Sequence, residues 1–334
     1  MMKAIVLKKL GGVENFTLAE LEKPSPGAGE VLIRIRATAF NPIDYQMRQG
    51  GTESKLLKSS ILGRELSGEI VQMDEDVTDF TVGDQVTAYV GSLASNGTYA
   101  EYISVPRELI AKNPERLTFE EAAALPMTGM TAYQCFTRIS IPEDAALFIA
   151  GGAGGVGTVL IKLLLAAGSQ RVYTTAGNEE SFSHLVGLGL PEDHIINYRQ
   201  ADLLSTLRKK TTSETFDYVV DLVGGYLSEI CAELINVYGT YVDVTSLTTE
   251  KARELLFDKA TTVIHVANYA HAFRKDCLHY YGKTLKELFD RIERHELTPP
   301  AIHILGNLSV ETVQKAHLLM ESNQTRGRKL IMQV

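Results

Sequence analysis

Residues 145–168 read AALFIAGGAGGVGTVLIKLLLAAG, and this stretch constrains the fold more than any other. It carries a single charge, Lys162, over a length that could span a bilayer. Yet five of the seven residues from Gly151 to Gly157 are glycine, which would break a membrane helix in its middle. The arrangement that accommodates both features is a buried strand at Ala145–Ala150, a tight turn, and a buried helix over about Thr158–Ala167 closed by Gly168. A soluble protein with no membrane partner is expected.

What surrounds this stretch defines its class. Six strand-like runs follow one another from residue 145: ALFIAG, RVYTTA, HIINY, DYVVDL, GTYVDV and TTVIHV, with helical connections between most of them. That alternation predicts a doubly wound parallel sheet, an α/β fold. The first 120 residues differ. Short β-rich runs (AIVL, EVLIRIRA, SGEIVQM, AEYISV) alternate with the turn signals PSPG, VGD and SNGT, which predicts an all-β unit built as a partly open barrel. After about residue 268 come a helix with period near 3.6 over Thr284–His295 and a β-like tail ending GRKLIMQV. A chain of 334 residues is long for one core and suits two domains.

Gly152-x-Gly154-x-x-Gly157, following a strand and opening a helix, has the spacing and setting of a dinucleotide-binding loop. Gly152 is expected to make the tight turn, Gly154 to let the backbone approach a pyrophosphate, and Gly157 to let helix and strand pack closely. Ala153, Gly155 and Val156 complete the loop, whose helix N-terminus offers free N–H groups and a favourable dipole. The next strand ends Thr174-Thr175-Ala176-Gly177-Asn178, without the carboxylate that an NAD ribose would want. Small neutral residues there leave room for a 2′-phosphate and favour NADPH, with Asn178, Ser181, Tyr198 and Arg199 as candidate partners. Tyr198 and Arg199 read equally well as a solvated strand end.

The net charge of −8 argues against nucleic acid as a partner. Cys135, Cys231 and Cys277 lie far apart, which gives neither a disulfide framework nor a cysteine-rich zinc site and suits a reducing cytoplasm. His265, His271 and His279 have no ligand spacing with carboxylates or cysteines and read as ordinary histidines.

Several further motifs occur in order along nearly the whole chain: Asn41-Pro42-Ile43-Asp44 with Arg48 and Gly50, Gly63-x-Glu65-x-x-Gly68, Val82-Gly83-Asp84-x-Val86, and Gly97-x-Tyr99-Ala100-Glu101-Tyr102. Glu121-Ala122-Ala123-Ala124-Leu125-Pro126, Gly129-x-Thr131-Ala132-Tyr133, Asp221-x-Val223-Gly224-Gly225 and Arg326-Gly327-Arg328 follow. With the glycine loop, they make the chain resemble the medium-chain dehydrogenase/reductase superfamily, and within it the zinc-independent quinone oxidoreductase branch. The resemblance implies a GroES-like β-barrel catalytic domain at 1–120, completed by 269–334, and a Rossmann domain at 121–268. It also implies a homodimer, places Thr128 and Thr131 near the nicotinamide end, and makes Val223 a candidate cofactor-binding residue.

Against that family pattern, the departures are informative. Zinc enzymes of the superfamily have a cysteine where this chain has Asn41 and a histidine where it has Arg64, and the four-cysteine lobe is absent. An arginine's fixed charge opposes a metal. Without a Lewis acid, alcohol oxidation is disfavoured and hydride delivery to an electrophilic acceptor, a quinone or an α,β-unsaturated carbonyl, remains. Asn41 and Tyr45 are the candidate hydrogen-bond donors, and Arg64 is a candidate contact to substrate or cofactor. Tyr45 reads equally as an aromatic packed beneath a loop, Thr128 and Thr131 as helix-capping residues, and Asp44 as a loop-positioning acid pairing with Arg48. Two other functions fit the same residues: a 2-enoyl-thioester reductase, and an NADPH-binding redox sensor with little turnover.

Overall fold

The computed structural model describes residues 1–334 except 52, 53, 56, 92, 143, 200, 201, 212 and 213. It divides into two compact units, Met1–Met130 with Tyr269–Val334, and Thr131–Asn268. The first begins with β1 (Met2–Leu7), β2 (Phe16–Leu21), β3 (Glu30–Ala39), α1 (Pro42–Arg48), β4 (Glu65–Met73), β5 (Gln85–Tyr89), β6 (Tyr102–Pro106), β7 (Ile110–Lys112) and α2 (Phe119–Ala123). The division falls within α3 (Pro126–Arg138), ten residues later than the change of composition suggested. The reason is packing. Although the sequence turns helical near residue 119, Ala123 and Ala124 close a small core with Ala37, Ala39 and Ile331 of the first unit.

The second unit runs through β8 (Leu147–Ala150), α4 (Gly155–Ala166), β9 (Val172–Ala176), α5 (Glu179–Gly187), β10 (Ile195–Asn197), α6 (Leu203–Arg208), β11 (Phe216–Asp221), α7 (Tyr226–Leu234), β12 (Ile235–Asp243), α8 (Glu250–Asp258) and β13 (Thr262–His265). All six strands pair in parallel, in the order β10-β9-β8-β11-β12-β13. Every residue of β8 and β9 is buried, as parallel strands covered on both faces must be, whereas β13 at the edge is largely exposed. Phe148, Tyr173 and Phe216 meet in its core. Helix α4 starts at Gly155, three residues before the apolar run suggested, because the glycines themselves form its first turn. Gly168, with φ of 91°, ends the turn that follows it.

The chain then returns to the first unit with α9 (His279–Glu293), β14 (Ile302–Asn307), α10 (Val310–Glu321) and β15 (Lys329–Gln333). Tyr281, Leu285, Leu288, Phe289 and Ile292 form the buried stripe of α9, at helical spacing. The main sheet of this unit runs β14-β15-β3-β4-β5-β7, with β6 paired to β3 and β1-β2 forming a separate two-stranded sheet. Thus β15, the last strand, lies beside β3, and the tail is a structural member of the first unit. Phe16, Phe40 and Tyr99 pack around the buried ring of His317 from α10. Among the described residues no helix is long and apolar enough to cross a membrane.

Candidate functional site

In the second unit the strand order reverses between β8 and β11: the chain winds outward from β8 to one edge, then from β11 to the other. Ligands of doubly wound sheets bind at the carboxyl ends of the strands beside such a switch, where the glycine loop stands. Its left-handed turn residue is Gly151, with φ of 88°, not Gly152. Gly152 is small for another reason. Its amide donates to Thr174 Oγ1 at 3.1 Å, and a Cβ there would fall 2.2 Å from the same oxygen. The spacing could not distinguish them, because the pressure on Gly152 comes from β9. Gly157 is also held small, but by the turn and not by the strand: a Cβ would come within 2.5 Å of Gly152 Cα, so helix and turn touch.

Gly154 differs from both. It caps α4 with extended backbone, φ −77° and ψ 171°, which any residue can adopt. Among the described residues, a Cβ there would meet only the carbonyl oxygen of Gly151, at 3.3 Å. The space beside it is therefore open, and the amides of Gly155, Val156 and Gly157 begin a helix with no preceding carbonyls to bond. An open cradle at the positive end of a helix fits the pyrophosphate of a dinucleotide, and Ala153 keeps the turn small.

Val223 is brought to this loop. A Cβ on Gly151 would lie 2.8 Å from Val223 Cγ2. The turn that carries Val223 is held by Asp221, wholly buried at the end of β11. Its Oδ1 accepts from the amides of Val223 at 2.9 Å and Gly224 at 2.8 Å, and its Oδ2 accepts from the Tyr241 hydroxyl at 2.7 Å. At the end of β9, Asn178 caps α5, its Oδ1 accepting from the amide of Ser181 at 2.8 Å. Tyr198 stands against the same corner, since a Cβ on Gly177 would lie 2.3 Å from its hydroxyl oxygen. Arg199 beside it is exposed, its amide donating to Asn197 Oδ1 at 3.0 Å. Ala176, Gly177 and Asn178 carry no acid, and Glu179 and Glu180 are exposed in the first turn of α5. Thr131 Oγ1 accepts from Asn268 Nδ2 at 2.8 Å, within the unit.

The first unit holds the other candidates. Thr128, in the first turn of α3, donates its hydroxyl at 3.0 Å to the carbonyl of Ala124, the residue that closes α2. Asn41, at the N-cap of α1, is buried and committed at both ends of its amide: Nδ2 donates to Glu65 Oε1 at 2.8 Å, and Oδ1 accepts from Lys329 Nζ. Lys329 lies 2.7 Å from Glu65 Oε1, and the Met127 amide donates to Glu65 Oε2 at 2.6 Å. Lys329 was not foreseen as a site residue. The one available signal was a lysine at the head of the apolar run LIMQV, which burial would oblige to find an acid.

The pairing of Asp44 with Arg48 is not formed. Asp44 turns back to the helix start, its Oδ2 accepting from the Asn41 amide at 2.8 Å, while Arg48 donates to Gly11 O at 2.6 Å and pairs with Glu321. Tyr45 packs, half-buried, against the core cluster of Phe16, Phe40 and Tyr99. Arg64 is 4% exposed, its guanidinium donating to Met47 Sδ at 3.1 Å and to the Tyr89 hydroxyl at 3.0 Å. With Asp44, Met47, Ile61, Gly91 and Asn96 it lines a cavity of about 30 Å³ in the first unit. Burial pushes the carboxyl of Asp44 up to about 7, against the lowering effect of the Asn41 amide. Among the described residues no group of three or more His, Cys, Asp or Glu side chains is placed to hold a metal ion.

Residues 27–115 match the family model of the alcohol dehydrogenase GroES-like domain, and residues 190–331 that of zinc-binding dehydrogenase. The chain is 26% identical to a zinc-type alcohol dehydrogenase-like protein of Staphylococcus epidermidis, over 97% of this chain and 99% of the relative. It is 30% identical to the quinone oxidoreductase from Coxiella burnetii, whose structure superposes with a TM-score of 0.82 over 100% of this chain and 99% of that one. The CurK enoyl reductase superposes with a TM-score of 0.86 over 99% of each chain at 21% identity, a likeness of fold alone. With a 30% identical structure matched from end to end and dehydrogenase models on both halves of the sequence, the chain belongs to the medium-chain dehydrogenase/reductase superfamily.

Proposed function

We propose that the protein is an NADPH-dependent, zinc-independent reductase of quinones or α,β-unsaturated carbonyls, working as a homodimer in the cytoplasm. That it is an oxidoreductase using a nicotinamide cofactor follows from its family; the choice of cofactor and acceptor is the proposal. Arg64 carries it. A buried guanidinium lines the cavity at the position where zinc relatives have a histidine ligand, and its fixed charge repels a metal while favouring an oxygen that gains negative charge. Asn41, at the cysteine position, has its amide taken up by Glu65 and Lys329.

Bound NADPH would supply the hydride. The chain's own part is to hold and orient. The amides of Gly155, Val156 and Gly157 receive the pyrophosphate, and Asn178, Ser181, Tyr198 and Arg199 surround the 2′-phosphate beside a strand end, Ala176–Asn178, that carries no acid. Thr128 and Thr131 are assigned to the nicotinamide end through the family pattern, and Val223, beside Gly151, to the cofactor. Tyr45 is retained as a donor to the acceptor oxygen, and Asn41 acts by fixing the start of α1 rather than by donating to substrate.

The test is NADPH oxidation by the chelator-treated protein with a small quinone and with a series of enones. Turnover with either class supports the reading. Tight NADPH binding without turnover on any acceptor would make the protein a cofactor-binding sensor instead.

A further inference from the structure

Under the reading above, NADPH is recognised at the N-termini of two helices. Its pyrophosphate is received by α4, and its 2′-phosphate by the start of α5. NADH differs from NADPH only in lacking that phosphate. Discrimination between the two therefore depends on where the start of α5 stands relative to the start of α4.

The two helices are fixed to very different degrees. Seven of the twelve residues of α4 are buried, whereas of the nine in α5 only Leu185 is. Ser181, Ser183, His184 and Gly187 of α5 are also weak helix formers. Apolar burial thus anchors α4 firmly and α5 lightly. The Asn178 cap, 2.8 Å from the Ser181 amide, is a bond within the first turn of α5 and does not tie that helix to α4.

A polar contact between side chains does. Thr158 Oγ1 lies 2.9 Å from His184 Nε2. Thr158 is 4% exposed, and its amide donates to Gly154 O at 2.9 Å, so it closes the first turn of α4 directly behind the pyrophosphate amides. His184 stands one turn along α5 from Ser181. Burial and then the charge of Lys162 hold its ring below the ordinary value, which keeps it a neutral imidazole able to share a hydrogen bond with a hydroxyl. Two apolar side chains here would bury area without direction, whereas a hydrogen bond fixes both distance and angle.

We propose that His184 is a positioning residue for cofactor choice. Through Thr158 it holds the start of α5 at the distance from the glycine loop that lets Asn178 and Ser181 reach a 2′-phosphate beside Tyr198 and Arg199. This rests on the NADPH reading. The role is indirect, exerted through the placement of α5 and not through contact with the cofactor. NADH, held at α4 by its pyrophosphate, makes no use of that placement.

The experiment titrates NADPH and NADH by fluorescence into wild type, His184→Leu, Thr158→Val, the double variant and His184→Gln, with folding followed by circular dichroism. Each single loss should weaken NADPH about five- to tenfold and NADH less than about twofold, so that the preference for NADPH collapses. The double variant should bind NADPH no more weakly than the weaker single one, because both remove the same bond. Glutamine can reach the Thr158 hydroxyl and should restore most of the preference, a recovery that filling space would not give. Equal weakening of both cofactors, no change in either, simple additivity in the double variant, or a His184→Gln variant no better than His184→Leu would overturn the proposal. A wild type that still prefers NADPH leaves the cofactor reading intact in each of those cases. If His184→Leu fails to fold, Thr158→Val, which keeps the shape and removes only the hydroxyl, decides alone by the same ratio. A wild type that binds NADPH no better than NADH refutes the cofactor reading, and this assignment with it.

Discussion

Replacing Lys329 by Met removes one charge from a pair that is buried on both sides, 7% exposed at Lys329 and 0% at Glu65. At an effective dielectric constant of about 20, unit charges 2.7 Å apart attract by roughly 6 kcal/mol, most of which is offset by the desolvation of both ions. The substitution forfeits the attraction while the carboxylate stays buried. Glu65 would keep only the Asn41 side-chain amide at 2.8 Å and the Met127 backbone amide at 2.6 Å. The expected cost is about 3–5 kcal/mol. Urea unfolding, compared by midpoint and slope, measures it. Glu65→Gln in the same background removes the orphaned charge, and the double variant should be more stable than the sum of the two single losses by about 1–3 kcal/mol. A Lys329→Met loss below about 1 kcal/mol, or simple additivity in the double variant, would refute the claim that this ion pair holds β15 to β4 and to the cap of α1.

Gly154→Val should abolish NADPH binding while leaving circular dichroism unchanged, because the backbone there is extended and the space a side chain would fill is open; normal NADPH binding would reduce the loop to a turn. NADPH should bind at least tenfold more tightly than NADH, a difference of about 1.4 kcal/mol, and Asn178→Asp should narrow or reverse that ratio in fluorescence titrations while still capping α5. Burial and then Arg48 hold His317 down at about 3, so its contribution to stability is full above the ordinary value of 6.5 and is lost as pH falls toward 3. Asp44 runs the other way, losing stability as pH rises through about 7. Comparing wild type with His317→Gln isolates the histidine. Between pH 6.5 and 5 wild type should lose about 2 kcal/mol more than the variant in urea unfolding, and parallel curves would contradict the assignment.

What could be read in advance was local in sequence. The apolar strand, the glycine turn and the apolar helix are consecutive, so β8, the loop and α4 could be placed from spacing alone. The acid-free end of β9 lies in one short run, Ala176–Asn178. What could not be read is carried by distant pairs. Lys329 meets Asn41 across 288 positions, and Glu321 meets Arg48 across 273. Those partners decide that the Asn41 amide is occupied and that Arg48 is turned away from Asp44. Helical spacing favoured the Asp44–Arg48 pair, but a carboxylate at the start of a helix is drawn back to the first amide. The tight turn expected at Gly152 falls at Gly151, and Gly152 is kept small instead by Thr174 on the neighbouring strand, a distant partner of the same kind.

The most direct test of the account is the initial rate of NADPH oxidation by protein shown by elemental analysis to be free of zinc, with a small enone and a small quinone as acceptors. The account predicts turnover with at least one of them, unchanged by added chelator and slower with NADH. Activity that appears only when zinc is restored, or oxidation of alcohols in preference to reduction of these acceptors, would contradict it.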